Sequence, residues 1–94
     1  MHYIIFAQDK PGATGVRADS RPDHLEYLKS KSDILVTAGP MQSDDGEAMI
    51  GSLLVIDVAD RAAAEDFAKN DPYAKAGLFE SVVIKRWKRT IPAD

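Results

Sequence analysis

The chain has no cysteine. That excludes a disulfide framework, a thiolate zinc site and a cysteine nucleophile. The core must hold without covalent staples, and the absence fits a reducing compartment. Long hydrophobic runs are missing too. Stretches such as Leu53-Leu54-Val55-Ile56 are only a few residues long, against the ~20 that cross a bilayer as a helix. The start, Met1-His2-Tyr3-Ile4-Ile5-Phe6, carries no basic region before its apolar residues. No signal peptide and a cytoplasmic location are therefore expected. Positive charge is not in excess: twelve Lys and Arg stand against fifteen Asp and Glu, a net charge of −3. This argues against a protein that coats nucleic-acid phosphates. There are only two histidines, which without cysteine make no ligand cluster, so no metal is expected. The glycines of Pro11-Gly12-Ala13-Thr14-Gly15 match neither a dinucleotide fingerprint nor a P-loop. No serine sits in a nucleophile elbow. No cofactor is expected.

With 94 residues, 45% of them apolar, the chain fits a single domain over 1–94 that buries roughly 60–65% of its unfolded surface. Composition is even, with no repeat and no linker. The apolar stretch His2 to Gln8, closed by Asp9, Pro11 and Gly12, reads as a strand. A helix follows from about Arg21 to Lys31. Either Ser20 caps it, with Asp23 three positions on, or Pro22 takes its first helical position. Leu25 and Leu28 share a face of it, with His24 beside Leu28. Ile34 to Ala38 reads as a second strand stopped by Gly39-Pro40, and Met49 to Val58 as a third. The connection Ser43-Asp44-Asp45-Gly46-Glu47 is a solvated hairpin tip, since it lacks the spacing of a calcium loop. Asp60 caps a helix from Arg61 to Lys69. Pro72 to Ala76 forms a further turn of helix, and Ser81 to Arg89 a last strand.

The order is β-α-β-β-α-β, the split β-α-β or ferredoxin-like plan. It predicts an α+β fold: a four-stranded antiparallel sheet with both helices on one face. The other face is bare, with Tyr3, Ile5, Val83 and Trp87 as candidates to lie on it. An apolar sheet face marks an interface, so a homodimer through the open face is expected. The basic Lys85-Arg86-Trp87-Lys88-Arg89 lacks the RNP pattern of RNA-binding sheets. It reads as the protective charge of an edge strand.

His2 reads as a strand-terminal residue. His24 is better placed for chemistry. It is either a structural histidine on an amphipathic helix or a general base, since imidazole changes charge near neutral pH. Asp71 is the matching partner type. Standing before Pro72, it is also a good cap for the short helix that follows. The plan sets both helices side by side, so His24 and Asp71 can meet. Both readings of Asp71 stay open at this stage.

Several pieces then fall into a pattern. They are Tyr3-Ile4-Ile5-Phe6, Arg21-Pro22-Asp23-His24-Leu25-Glu26-Tyr27-Leu28, Ala38-Gly39-Pro40, the strand begun by Gly51, Ala68-Lys69-Asn70-Asp71-Pro72-Tyr73, Gly77-Leu78-Phe79, and a basic final strand with Trp87. In order and spacing they resemble the YciI-like (YCII-related) domain family over nearly the whole chain. The resemblance implies a dimeric α+β barrel of ferredoxin-like protomers. It also implies an active site of one histidine and one aspartate, here His24 as general base or acid and Asp71 fixing its tautomer. Gly39, Pro40 and Tyr73 would line the pocket, and Arg17, in the loop before the histidine helix, would anchor an anionic group. One related enzyme type removes HCl from a chlorinated hydroxyquinol. The expected function is thus a cofactor-free lyase or isomerase, dehydrochlorinase-like, acting on a small oxygenated or aromatic compound. The alternative is a non-catalytic dimeric module that binds a small ligand or a partner. An oxygenase on the same barrel plan is a third option, because one fold hosts many chemistries.

Overall fold

The computed structural model describes residues 1–92, so the last two residues of the expected 1–94 domain lie outside the described residues. The elements are β1 (His2–Asp9), α1 (Thr14–Ser30), β2 (Leu35–Gln42), β3 (Met49–Asp57), α2 (Arg61–Asn70), α3 (Pro72–Lys75) and β4 (Phe79–Trp87). The four strands form one antiparallel sheet in the order β2-β3-β1-β4. This is the α+β arrangement expected of a β-α-β-β-α-β chain. No helix among the described residues is long and apolar enough to cross a membrane.

The core lies between the sheet and the helices. Tyr3, Ile5, Leu54, Ile56 and Ile84 from the sheet meet Ala64 and Phe67 of α2. Alternation along the strands assigns the faces. Ile5 pairs with Leu54 and Ile84, all buried, whereas Phe6 pairs with Leu53 and Val83, all exposed. Tyr3 and Ile5 therefore lie under the helices and not on the open face. Val83 and Trp87, opposite Phe6 and His2, share the open side. Small side chains let α2 sit close on the sheet, and Asp60 caps it by accepting from the Ala63 amide at 2.9 Å.

The first helix starts earlier than periodicity predicts. It opens at Thr14, and Pro22 lies inside it rather than at its first turn. A β-turn delivers the chain into it: Pro11 and Gly12 occupy the turn centre, Gly12 has φ 73°, and the Ala13 amide closes on the Lys10 carbonyl at 3.2 Å. The stretch from Thr14 to Arg21 shows no apolar stripe because its inward position is Arg17, a buried charge. An interior proline costs about 3 kcal/mol. What α1 buries beyond it, through His24 and its neighbours, offsets that cost.

The second strand runs through Gly39-Pro40 instead of stopping there. It is an edge strand, and proline is tolerated at an edge because its missing N–H can face outward. The β2–β3 hairpin closes as expected through residues 43–48, where Asp45 accepts from Ser43 Oγ and the Glu47 amide. The last strand begins two residues before Ser81 and ends at Trp87. It forms the opposite edge of the sheet.

Candidate functional site

A cavity of about 210 Å³ opens between the inner face of α1 and the β2–β3 side of the sheet. From α1 it is lined by Arg17, Arg21, His24, Leu25 and Leu28. These recur at helical spacing, so one stripe of the helix faces the space. From the strands come Ala38, Gly39, Pro40, Met49, Ser52 and Leu54, and Tyr73 of α3 completes the wall. Of the residues expected at the site, Arg17, His24, Gly39, Pro40 and Tyr73 line the cavity, and Asp71 stands behind His24. His2 is elsewhere, on the open sheet face with its ring 6.1 Å from that of Trp87.

His24 sits in the middle of α1, not in its first turn, and is only 7% exposed. Its Nδ1 lies 2.7 Å from Asp71 Oδ1. A carboxylate oxygen only accepts, so the neutral ring carries its proton on Nδ1 and leaves Nε2 as an acceptor. Asp71 is 3% exposed. The same Oδ1 also accepts from the Tyr73 amide at 2.9 Å, capping α3. Cap and histidine partner, alternatives on paper, are one atom.

Tyr73 holds the arrangement together. Its ring stacks on the His24 imidazole, centroids 3.9 Å apart and 15° from parallel. The Arg17 guanidinium lies 4.6 Å from the same ring's centroid, a cation–π distance. Burial raises the Tyr73 hydroxyl pKa, against the lowering pull of Arg17 and Arg21.

Arg17 is a helix residue, not a loop residue, and its charge is already engaged. Nε donates to Asp9 Oδ2 at 2.7 Å and Nη2 to Asp9 Oδ1 at 2.9 Å. Nη2 also donates to Ser52 Oγ at 2.9 Å. Burial pulls the Arg17 pKa down, but the hydrogen bond and charge of Asp9 outweigh it, and the net direction is up. The fork braces α1 against β1 and β3. Asp9 and Ser52 are participants that sequence reasoning missed. Nothing local marks them, since each acts on a residue distant in the chain. Arg21 was visible in sequence as the start of the expected helix and of the Arg21-to-Leu28 piece, but not as a site residue. No group of three or more His, Asp or Glu able to hold a metal occurs among the described residues.

The family model for the YCII-related domain matches residues 1–88. The chain belongs to the YCII-related domain family. Protein YciI of Escherichia coli is 38% identical, across 95% of this chain and 98% of its own. An uncharacterized protein of Haemophilus influenzae is 36% identical, with coverage of 95% and 98%. Among solved structures, 5-chloro-2-hydroxyhydroquinone dehydrochlorinase (TftG) of Burkholderia phenoliruptrix, complexed with 2,5-dihydroxybenzoquinone, superposes with a TM-score of 0.89 at 33% identity over 100% of both chains. The Arabidopsis thaliana protein At3g17210 gives a TM-score of 0.51 at 11% identity over 98% of this chain and 97% of its own. That last likeness concerns the fold alone.

Proposed function

We propose that this chain is a small cofactor-independent enzyme of the lyase or isomerase kind, dehydrochlorinase-like, acting on single-ring oxygenated compounds. The observation that carries the reading is the buried His24–Asp71 hydrogen bond at the wall of a cavity. An apolar cavity of roughly 150 Å³ takes benzene, and drug-sized ligands need about 300 Å³ or more. The cavity here, about 210 Å³, suits one substituted ring. The likeness to a dehydrochlorinase supports the same class of chemistry.

His24 Nε2 is then the general base and, once protonated, the general acid. On a halogenated hydroquinone it takes the proton of one ring hydroxyl and returns it to the halogen-bearing carbon, which becomes tetrahedral. Removal of the second hydroxyl proton sends an electron pair through the ring and expels halide. Two O–H bonds and one C–halogen bond break, one C–H bond forms, and HX is lost to leave a quinone. Oxidation of the ring is matched by reduction at that carbon, so no outside oxidant is needed. Asp71 keeps Nδ1 protonated and stabilises the imidazolium between the two transfers. In the binding-module reading, the Asp71 carboxylate would point away from His24. The shared Oδ1 supports the enzyme reading instead.

The proposal includes a homodimer in which a second copy covers the open sheet face, completing an α+β barrel. Phe6, Leu53, Val83 and Trp87 support it, lying on one face at 38%, 41%, 44% and 38% exposure.

The test is halide release from 5-chloro-2-hydroxyhydroquinone and other halogenated hydroquinones. The wild type turns over at least one, and His24→Gln is slower by roughly 10²–10⁴-fold, the ordinary contribution of a general base. Equal rates in wild type and His24→Gln, or no halide release at all, would overturn the proposal.

A further inference from the structure

The cavity has an uneven charge balance. Its permanently charged lining residues are two arginines, and no carboxylate lines it among the described residues. The chain as a whole is net negative at −3, so this local excess is not a reflection of composition. The two arginines differ in what they already hold. Arg17 is gripped by Asp9 through both carboxylate oxygens, its side chain only 9% exposed. Its charge is therefore cancelled where it stands. Ion pairs form at Arg17, His24, Arg61 and the N-terminus. Arg21 is in none of them. It stands one turn along α1 from Arg17 and one turn before His24, and its charge is felt at the Tyr73 hydroxyl across the cavity.

We infer that Arg21, not Arg17, is the anion anchor of this pocket, and that its ligands are single-ring compounds carrying an ionised ring oxygen, a phenolate or enolate. The inference rests on the proposed function and names its substrate class. A guanidinium at the mouth offers paired N–H donors to such an oxygen. The ring then lies along the apolar wall of Leu25, Leu28 and Leu54, within reach of His24. Binding the ionised oxygen serves the chemistry too, because the elimination begins from a deprotonated hydroxyl. Arg17 takes a different part: with Asp9 and Ser52 it fixes the end of α1 from which Arg21 projects.

The test is titration calorimetry with two ring compounds of nearly the same shape. One is 2,5-dihydroxybenzoquinone, an acidic enol that is ionised at neutral pH. The other is its dimethyl ether, which cannot ionise. The proteins are wild type, Arg21→Gln, Arg21→Lys and Lys29→Gln. Lys29→Gln removes an equal charge from the same helix about two turns further on. The expected result is that Arg21→Gln weakens the ionised probe roughly tenfold or more and leaves the ether unchanged. Arg21→Lys recovers part of the loss, and Lys29→Gln binds as wild type. Equal affinity of wild type and Arg21→Gln for the ionised probe overturns the inference. So does an equal loss for both probes, which would mean a change of shape rather than of charge. If wild type binds neither probe, the inference and the single-ring site fall together. Failure of the halide-release test with the charge preference intact would remove the enzyme and leave the anion anchor standing.

Discussion

Asp71→Ser separates two tasks that one oxygen performs. Serine is a good N-cap and can keep accepting from the Tyr73 amide, but its side chain is too short to reach His24. The loss it causes is therefore the histidine contact. Both partners are buried, at 7% and 3% exposure, and 2.7 Å apart. A hydrogen bond involving a charged group contributes about 1.5–3 kcal/mol, and a buried donor left unpaired costs about 1–3 kcal/mol. We expect Asp71→Ser to cost ~2 kcal/mol and Asp71→Ala ~1 kcal/mol more, because alanine loses the cap as well. For a chain of this size the first figure corresponds to about 8–16 °C in Tm. His24→Ala should cost about 2–4 kcal/mol, since it removes the stacked ring and leaves the carboxylate with one donor. In the double variant His24→Ala/Asp71→Ser the two costs should fall short of adding by about 1.5 kcal/mol. Urea unfolding at neutral pH and one protein concentration measures all five proteins, the fixed concentration guarding against a contribution from dimerisation. A coupling below about 0.5 kcal/mol would refute the pair, because distant, independent sites add that closely. Equal stability of the serine and alanine variants would refute the cap.

Two further outcomes follow from other parts of the fold. Burial, helped by the charges of Asp71 and Asp66, pushes the Tyr27 hydroxyl up to about 12, and the hydroxyl donates to the Phe67 carbonyl at 2.8 Å. A raised phenol favours folding below the unfolded value near ~10, and that contribution is lost as pH climbs from there through the folded value. Wild type should thus lose more stability than Tyr27→Phe between pH ~9 and ~11, and parallel losses in urea melts would count against the buried hydroxyl. On the open sheet face, Val83→Glu leaves the helix-covered core untouched, so the variant should sediment as a folded monomer where wild type sediments as a dimer. A monomeric wild type removes the second copy from the proposal.

The parts of the fold that announced themselves were those in which burial is apolar. Leu54, Ile56 and Ile84 pack against Phe67 and Ala64, and these are side chains that periodicity weighs, although Tyr3 and Ile5, expected on the open face, pack with them. The element order and the Asp60 cap followed from the same kind of signal. The opening of α1 did not, because its inward position holds an arginine braced by Asp9 and Ser52. Neither of those partners has a local signature. Pro40 looked like a stop because a proline breaks a central strand, but whether a strand is central or at an edge depends on the whole sheet. At the site, His24, Asp71 and Tyr73 were legible as types and as a motif. That Asp71 faces His24 depended on how α1 and α3 pack, which no spacing in the chain encodes.

The tripeptide Asp71-Pro72-Tyr73 shows why this site needs so few residues. Pro72 has no N–H to offer, so the first donor available to the Asp71 side chain is the Tyr73 amide. That bond turns the carboxylate back over the start of α3 and fixes Oδ1. The residue supplying the amide also supplies the ring on which His24 stacks. One residue thus sets the position of the acceptor and the plane of the imidazole that donates to it. The same ring also meets Arg17, which is itself fixed by Asp9. Preorganisation of this kind lowers what must be ordered when a ligand arrives. It also explains how a buried carboxylate is tolerated: two N–H donors converge on one oxygen. Disturbing Tyr73 should therefore harm the His24–Asp71 pair as much as disturbing either member, although Tyr73 takes no proton.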